Sequence, residues 1–344
     1  MSITDNKEII QNRNLHVAII IRRNCNMRCA YCSPLGENKF SKGDICKDLS
    51  MDEIKEIIDL GIESGFNIFR LSGGEPTLHP EFDKIVKYIL NKNNDTKIII
   101  NTNGFKLKQY IDLIKDNKDR IEIRLSLDST DLSHKSQGIG KILTPEIQDI
   151  INDLIKSNIK LRLNSVITKT NISEVDKLIE IARKLGTHIK FFDLYLEEDF
   201  IGNKNDAFKW WKNNHISLSN FVASLEKQSG KSGYLSYSNS RCGISAMTFD
   251  LGNIKVFLQD SNNGANYNPK YCYDCKYFGN LCRVGFYSPI VTSAMVIQPT
   301  GCRVKQFQRS LKGKTHDEQL KSFDNVINIF KNIELIIPSK KNQV

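Results

Sequence analysis

From about residue 15 to residue 195 the chain alternates short apolar runs with amphipathic helical patterns, and this alternation restricts the fold more than any other feature. Strands are expected at His16–Ile21, Asn67–Leu71, Lys97–Ile100, Ile121–Leu125, Leu161–Ile167 and Ile189–Leu194. Helices are expected between them, near 51–64, 81–92, 107–117, 146–157 and 173–185. Ser50 and Ser173 stand at N-cap positions with Glu53 and Asp176 three residues on, and Gly186 ends its helix. Six βα repeats joined by short connections imply a parallel sheet with helices on its outer face. Six units are too few to close an eight-stranded barrel. The expected fold is therefore α/β, a partial (βα)6 TIM-like barrel with a small carboxyl-terminal domain. In such folds the chemistry gathers at the carboxyl ends of the strands.

The remainder of the chain divides by character. Residues 1–14 read as an amino-terminal tail, 15–200 as the barrel, and 201–240 as a helical connector bearing Trp210 and Trp211. Residues 241–310 form the small domain, with β-like runs such as Ile254–Leu258, and 311–344 hold a final helix near 316–333 and a polar tail. The tryptophans either cover the barrel edge or border a substrate pocket.

Composition narrows the function. The 344 residues are 40% hydrophobic and 26% charged, ordinary for a globular chain. No apolar stretch is long enough to span a bilayer, and the first residues, MSITDNKEIIQNRN, lack an apolar signal core. A cytoplasmic protein without a membrane partner is expected. The net charge of +10 comes from lysines scattered among Asn and Ile, with no dense basic block. That pattern reads as a solvated surface, and no nucleic-acid partner is expected.

Cysteine usage points to metal. In a reducing compartment, clustered cysteines read first as ligands. Seven of the nine fall in two groups: Cys25, Cys29 and Cys32, then Cys272, Cys275, Cys282 and Cys302. The first group follows the first strand directly. Three thiolates bind three irons of a cubane and leave the fourth iron without a protein ligand. A structural zinc site needs four ligands, and Cys46 is either that fourth or an idle thiol. The second group, with Cys302 or Cys242 as competing fourth members, fits a tetrahedral zinc or a fully ligated cluster equally well. With three members only, it would keep an open iron for substrate.

Cys25-x3-Cys29-x2-Cys32, with Tyr31 before the last cysteine, resembles the signature of the radical S-adenosylmethionine (SAM) superfamily. The resemblance implies an oxygen-sensitive [4Fe–4S] cluster whose open iron is chelated by SAM. One electron then splits SAM, and the 5′-deoxyadenosyl radical takes hydrogen from substrate. Ser72-Gly73-Gly74-Glu75-Pro76 follows the second strand, with glycines that let backbone approach a ligand and a carboxylate that accepts from an ammonium group. Asn101-Thr102-Asn103-Gly104 follows the third strand and Ser126-Leu127-Asp128-Ser129 the fourth. By resemblance, Tyr31 flanks adenine, Gly73, Gly74 and Glu75 hold the SAM amino group, and Ser126 contacts its sugar or carboxylate. Asn103, Asp128 and Tyr195 complete the cofactor-binding set. A second, auxiliary [4Fe–4S] cluster, in a domain of the Twitch or SPASM kind, is implied for the later cysteines, and a flavodoxin or ferredoxin as electron donor.

Residues 161–166, Asn171, the run Phe191–Tyr195 and Ala30–Pro34 further resemble the GTP 3′,8-cyclases of molybdenum-cofactor synthesis. Arg70 and Arg162 match basic positions that contact GTP there. Departures are several. The cyclases carry an arginine in the first strand where this chain has Ala18 or its neighbours, and arginines after their Cys-x2-Cys where Lys276, Tyr277 and Phe278 stand. Their Gly-Gly carboxyl terminus is replaced by Lys341-Asn342-Gln343-Val344. The expectation is a radical SAM enzyme acting on a peptide or small metabolite, with GTP cyclisation as the alternative. A non-catalytic, zinc-stabilised binding protein is the reading of another class. Arg241, Arg283 and Arg303 either bind an anionic substrate or balance cluster charge. His79 is expected to make a polar contact at a helix start, a general-acid role being the alternative.

Overall fold

The computed structural model describes residues 3–32, 48–194, 206–236, 242–260, 266–272, 286–300 and 305–336. Helix α1 (Ile3–Arg13) leads into β1 (Val17–Arg22), and five βα units follow. They are α2 (Met51–Glu63) and β2 (Ile68–Gly73), α3 (Phe82–Leu90) and β3 (Lys97–Thr102), α4 (Ile111–Lys115) and β4 (Ile121–Ser126), α5 (Pro145–Lys156) and β5 (Lys160–Val166), then α6 (Val175–Leu185) and β6 (His188–Phe192). Strands β1 to β6 pair in order, each parallel to the next. All six expected strands and their intervening helices are present, with the helix expected at 107–117 reduced to a 3-10 turn and the short α4.

Local chemistry explains the helix ends. Ser50 caps α2 in a capping box with Glu53, each satisfying a backbone N–H of the other. Thr144 caps α5 with Pro145 behind it. Gly186 closes α6 in the left-handed conformation. Ser173 does not cap α6 as expected. It lies inside a 3-10 turn, Ile172–Glu174, and Asn171 before that turn accepts from Thr168 instead.

The sheet continues past the six strands on both sides. Helices α7 (Asp206–Asn214) and α8 (Val222–Ser229) precede β7 (Tyr234–Ser236), β8 (Gly243–Ile244), β9 (Ala246–Asp250), β10 (Lys255–Gln259) and β11 (Asn266–Pro269). Then come β12 (Pro289–Val291), β13 (Val296–Pro299), β14 (Arg309–Ser310), α9 (His316–Ile329) and β15 (Ile333–Ile336). The twelve-stranded order is β14-β13-β12-β1-β2-β3-β4-β5-β6-β10-β9-β7. Strand β10 adds parallel to β6 and β12 adds parallel to β1. Residues 241–310 thus donate strands to both edges of the barrel sheet, while β15-β11-β8 form a separate small sheet. The two ends of the large sheet do not pair with each other, so the barrel is open.

Side-chain alternation separates two environments. Val17, Ile19 and Ile21, Phe69 and Leu71, Ile98 and Ile100, and Ile189 and Phe191 face the helices and build the main core. The opposite set faces the interior of the barrel. Under β1 it is apolar, where Ala18, Ile20 and Ile290 pack together; on β2, β4, β5 and β6 it carries charged side chains. None of the described helices is long and apolar enough to cross a membrane.

Residues 3–13 form a helix rather than a tail. Helix α1 places Ile9 and Ile10 in the main core, and Asn6 donates to Asp324 of α9 at 2.6 Å. Burial of two isoleucines beside a terminal helix outweighs the weak amphipathic signal that made the segment look unstructured. Ile10→Ala is expected to cost about 2–5 kcal/mol of stability, read as a lower urea midpoint. An unchanged midpoint would return the segment to the status of a tail.

Candidate active site

The cysteine loop leaves β1 at Arg22 and is joined to the end of β2 through main-chain contacts. The Gly74 N–H donates to the Arg22 carbonyl at 2.8 Å, and the Glu75 N–H to the Asn24 carbonyl at 3.1 Å. A Cβ on Gly73 would sit 2.0 Å from the Arg22 oxygen, and one on Gly74 2.4 Å from that of Asn24. Gly73 also has φ +141°, outside the range most side chains adopt. The paired glycines are therefore required by the approach of two backbones.

Glu75 completes the joint. Its buried carboxylate accepts from the Thr77 N–H at 3.1 Å and from the hydroxyls of Thr77 and Thr102, both at 2.6 Å, while its other oxygen accepts from the Asn103 N–H at 2.6 Å. Asn103 in turn donates to Asn26 Oδ1 at 2.9 Å and reaches Cys25 Sγ at 3.7 Å. One carboxylate thus organises the ends of β2 and β3 beneath the first thiol. His79 makes the expected helix-start contacts, its ring nitrogens meeting the Leu49 carbonyl at 2.9 Å and the Glu81 N–H at 3.2 Å.

The other side of the cysteine loop is held from β4. The Tyr31 hydroxyl donates to Asp128, whose second oxygen accepts from the Val166 N–H at 2.8 Å. Asn171 donates to the carbonyls of Asp128 and Val166 at 2.8 and 3.0 Å. Burial, followed by the neighbouring Asp128 charge, raises the Tyr31 phenol well above its usual range. Glu174, at the start of α6, receives Ser129, Thr130 and Lys177. Burial alone would raise its carboxyl, but these hydrogen bonds prevail and bring it down to about 2.

Around Cys29 and Tyr31 the surroundings are apolar: Leu194 packs on them, with Met27, Val166, Trp210 and Trp211 at the edge. The Trp211 indole N–H donates to the Leu194 carbonyl at 2.9 Å, and its ring stacks on His215 at 4.7 Å. The two tryptophans thus close the apolar side of the thiol loop. Burial first of all lifts the Cys25 and Cys29 thiols above their ordinary range, so metal ligation has to displace protons here.

The donors fit an iron–sulfur cubane. Among the described residues no three His, Cys, Asp or Glu side chains converge closely enough to hold one metal ion. A cubane spreads three thiolates over three irons, and Cys25, Cys29 and Cys32 offer three thiols on one loop.

Below the rim the barrel wall is cationic. Arg70 on β2, Arg124 on β4, Arg162 on β5 and Lys190 on β6 face inward, and Arg124 stands directly opposite Arg162 in the register. Glu122 is ion-paired with Arg124 at 2.8 Å and with Lys160 at 3.0 Å. Burial opposes ionisation of Glu122, but Arg124 and Arg162 overcome it and hold its carboxyl at about 2. Burial and then the Arg124 charge bring Arg162 down to about 9. Burial followed by the three arginines pushes Lys190 far below the usual lysine range, and burial with Arg70 and Arg124 does the same to His16. Ser126 ends β4 opposite Asn164, above this cluster.

Of the residues singled out from sequence, the structure gathers Cys25, Cys29, Cys32, Tyr31, Gly73, Gly74, Glu75, Asn103 and Asp128 at one rim. Ser126, Arg70 and Arg162 line the interior beneath them. Cys272 ends a 3-10 turn, Lys270–Cys272, and is buried in the main core with Cys242. Tyr195, Cys275, Cys282 and Cys302 lie outside the described residues, as do Cys46, Arg241, Arg283 and Arg303. Sequence reading missed Arg124 and Lys190, although a charge in the middle of an apolar strand at the inward parity is a usable signal. It also missed Lys141, which lies over the Tyr31 ring.

A three-thiol loop on the first strand, welded to a Gly-Gly-Glu loop on the second, places the chain among open parallel barrels that work from their strand rims. The model of the Radical SAM superfamily matches residues 19–192, and the chain belongs to that superfamily. Similar relatives include the GTP 3′,8-cyclase of Nautilia profundicola, 28% identical over 184 residues, covering 53% of this chain and 57% of that one. The GTP 3′,8-cyclase of Helicobacter pylori is 27% identical over 179 residues, covering 52% and 55%. The chain spans little more than half the length of these curated relatives. In structure it is similar to Streptococcus suis SuiB bound to S-adenosylmethionine, with TM-score 0.58, 14% identity, and coverage of 93% of this chain and 69% of that one. It is also similar to native anSMEcpe with bound AdoMet and Kp18Cys peptide, with TM-score 0.52, 16% identity, and coverage of 92% and 84%. At these identities the likeness bears on the fold.

Two outcomes follow from the hydrogen-bond network. Glu75→Gln leaves a buried N–H or hydroxyl facing an amide donor and is expected to lower stability by about 2–3 kcal/mol, read from chemical denaturation of the metal-free protein. An equal midpoint would show that the carboxylate is not the joint. For Glu174 the folded carboxyl lies at about 2 against an ordinary 4.5, so its contribution is present above 4.5 and is lost as pH falls toward about 2. The stability gap between wild type and Glu174→Gln should therefore narrow over that acid range, and a pH-independent gap would contradict the assignment.

Proposed function

We propose that this chain is a radical SAM enzyme that reductively cleaves S-adenosylmethionine and abstracts hydrogen from a peptide or small-metabolite substrate in natural-product or cofactor biosynthesis. The observation that carries the reading is the joint at the rim, where Cys25, Cys29 and Cys32 are held over the barrel mouth by Gly73, Gly74 and Glu75. A [4Fe–4S] cluster on those thiols would supply, with SAM, one-electron cleavage to a 5′-deoxyadenosyl radical.

The chain's own residues bind, orient and exclude water. Because the Glu75 carboxylate is occupied by protein donors, its part is to fix the rim backbone, and the SAM amino group would be met by the carbonyls of the Gly73–Glu75 segment. Tyr31, held through Asp128, presents its ring beside the thiols for adenine. Ser126 and Asn103 offer polar atoms to the sugar and carboxylate. Trp210, Trp211 and Leu194 shield one side from solvent, which a radical requires. The wall of Arg70, Arg124, Arg162 and Lys190 favours a substrate carrying negative charge.

Cys272, Cys275, Cys282 and Cys302 are proposed as ligands of an auxiliary [4Fe–4S] cluster, with a flavodoxin or ferredoxin as electron donor and the cytoplasm as location. GTP cyclisation is the second reading, favoured by the relatives' names and by the places of Arg70 and Arg162.

The test is iron, sulfide and 5′-deoxyadenosine measured on protein reconstituted without oxygen and reduced with dithionite. Two cubanes give about eight irons per chain, and about four with SAM cleavage would remove the auxiliary cluster from the proposal. Cys29→Ala should abolish 5′-deoxyadenosine formation, and an unchanged yield overturns the assignment. Added GTP should be left intact by the wild type; its consumption would put the cyclase reading first.

A further inference from the structure

Lys141 follows β4 in the run Gly138-Ile139-Gly140-Lys141. Its carbonyl accepts the N–H groups of Asp128 at 2.6 Å and Ser129 at 3.3 Å, so its backbone is anchored independently of its side chain. The two preceding glycines press against the cysteine loop. A Cβ on Gly138 would lie 2.7 Å from the Ala30 Cβ, and one on Gly140 would lie 2.7 Å from Cys29 Sγ. The Ala30 N–H also donates to the Gly138 carbonyl at 2.9 Å.

That close approach carries the Lys141 ammonium over the Tyr31 ring, 5.2 Å from its centroid. The residue is half-buried, and among the described residues its ammonium makes no hydrogen bond or close ion pair. The negative or ionisable groups that act on it are Asp128, Cys29, Cys32 and Cys25; burial disfavours its charge, yet together they keep it protonated. Asp128 is already engaged by Tyr31 and Val166. A partly desolvated ammonium is favoured by negative charge beside it. Three thiols become anionic at this spot when they ligate metal.

We propose that Lys141 is the built-in counter-cation of the first cluster, a positioning residue whose fixed charge favours entry of the electron. The inference rests on the radical SAM reading of the same site. Reduction by dithionite takes the cluster from [4Fe–4S]2+ to [4Fe–4S]+, adding one negative charge and breaking no bond. Net charge near a cluster is one of the levers on its potential, and a cation in partly buried surroundings stabilises the more negative state.

The test is a redox titration, without SAM, followed by the EPR signal that Cys29→Ala eliminates, on reconstituted wild type, Lys141→Gln, Lys141→Met and Lys141→Arg. At the potential where half of the wild-type cluster is reduced, the reduced-to-oxidised ratio in the Gln and Met variants should fall about tenfold, a midpoint about 59 mV more negative for one electron. Lys141→Arg should restore most of the shift. Iron lost from both neutral variants but retained with Arg supports the same role at assembly. Midpoints equal to wild type overturn the proposal, even with weaker SAM binding, because Lys141 would then serve SAM alone. Iron lost from all three variants also overturns it, since shape rather than charge would matter. A wild type without any cluster signal defeats the radical SAM reading itself and is seen before any variant is compared.

Discussion

The Arg22 and Asn24 carbonyls lie where side chains on residues 73 and 74 would have to go, and the hydrogen bonds they accept join the first strand's loop to the second strand's end. Everything at the rim depends on that contact between two main chains. It lets the loop that carries three thiols rest on a parallel sheet, and it brings Glu75 to the point where β2 and β3 finish. The carboxylate then gathers Thr77, Thr102 and Asn103, and Asn103 reaches the loop again beneath Cys25. Asp128 plays the matching part from the β4 side through Tyr31 and Val166. Two buried carboxylates, each engaged by protein donors at both oxygens, hold the loop from opposite sides.

The barrel divides its chemistry by strand parity. Outward residues are almost uniformly Ile, Leu, Val and Phe, and they give the fold its stability against the helices. Inward residues are free of that duty, and on β2, β4, β5 and β6 they gather like charges at a spacing that only a rigid sheet enforces. Arg124 opposite Arg162 is an arrangement that burial makes unfavourable, as the lowered values of Arg162 and Lys190 show. Rigid walls that accumulate one sign of charge are suited to attract the other.

Much of this was legible in the residues themselves. The βα alternation predicted six strands in the right places, because an apolar run of five or six residues flanked by turn signals has few other uses. The spacing of Cys25, Cys29 and Cys32 marked the three-thiol loop, since the pattern is local to eight residues. The glycine pair stood out because side chains are excluded there, and the structure adds that the Arg22 and Asn24 backbones exclude them. The amino-terminal helix was missed because a partner such as Asp324 of α9, which Asn6 meets, lies more than three hundred residues away.

The sequence by itself determined the order of the elements, the outward apolar set and the thiol spacing, because each is written in local periodicity or in contiguous residues. Only the tertiary structure decided that β10 and β12 extend the barrel at both edges, that Arg70, Arg124, Arg162 and Lys190 share one inward wall, and that Lys141 lies over the Tyr31 ring beside the thiol loop. Those relations join residues from separate strands and loops. They arise from sheet register and from glycine-permitted close approach, and neither quantity is carried by any single stretch of chain.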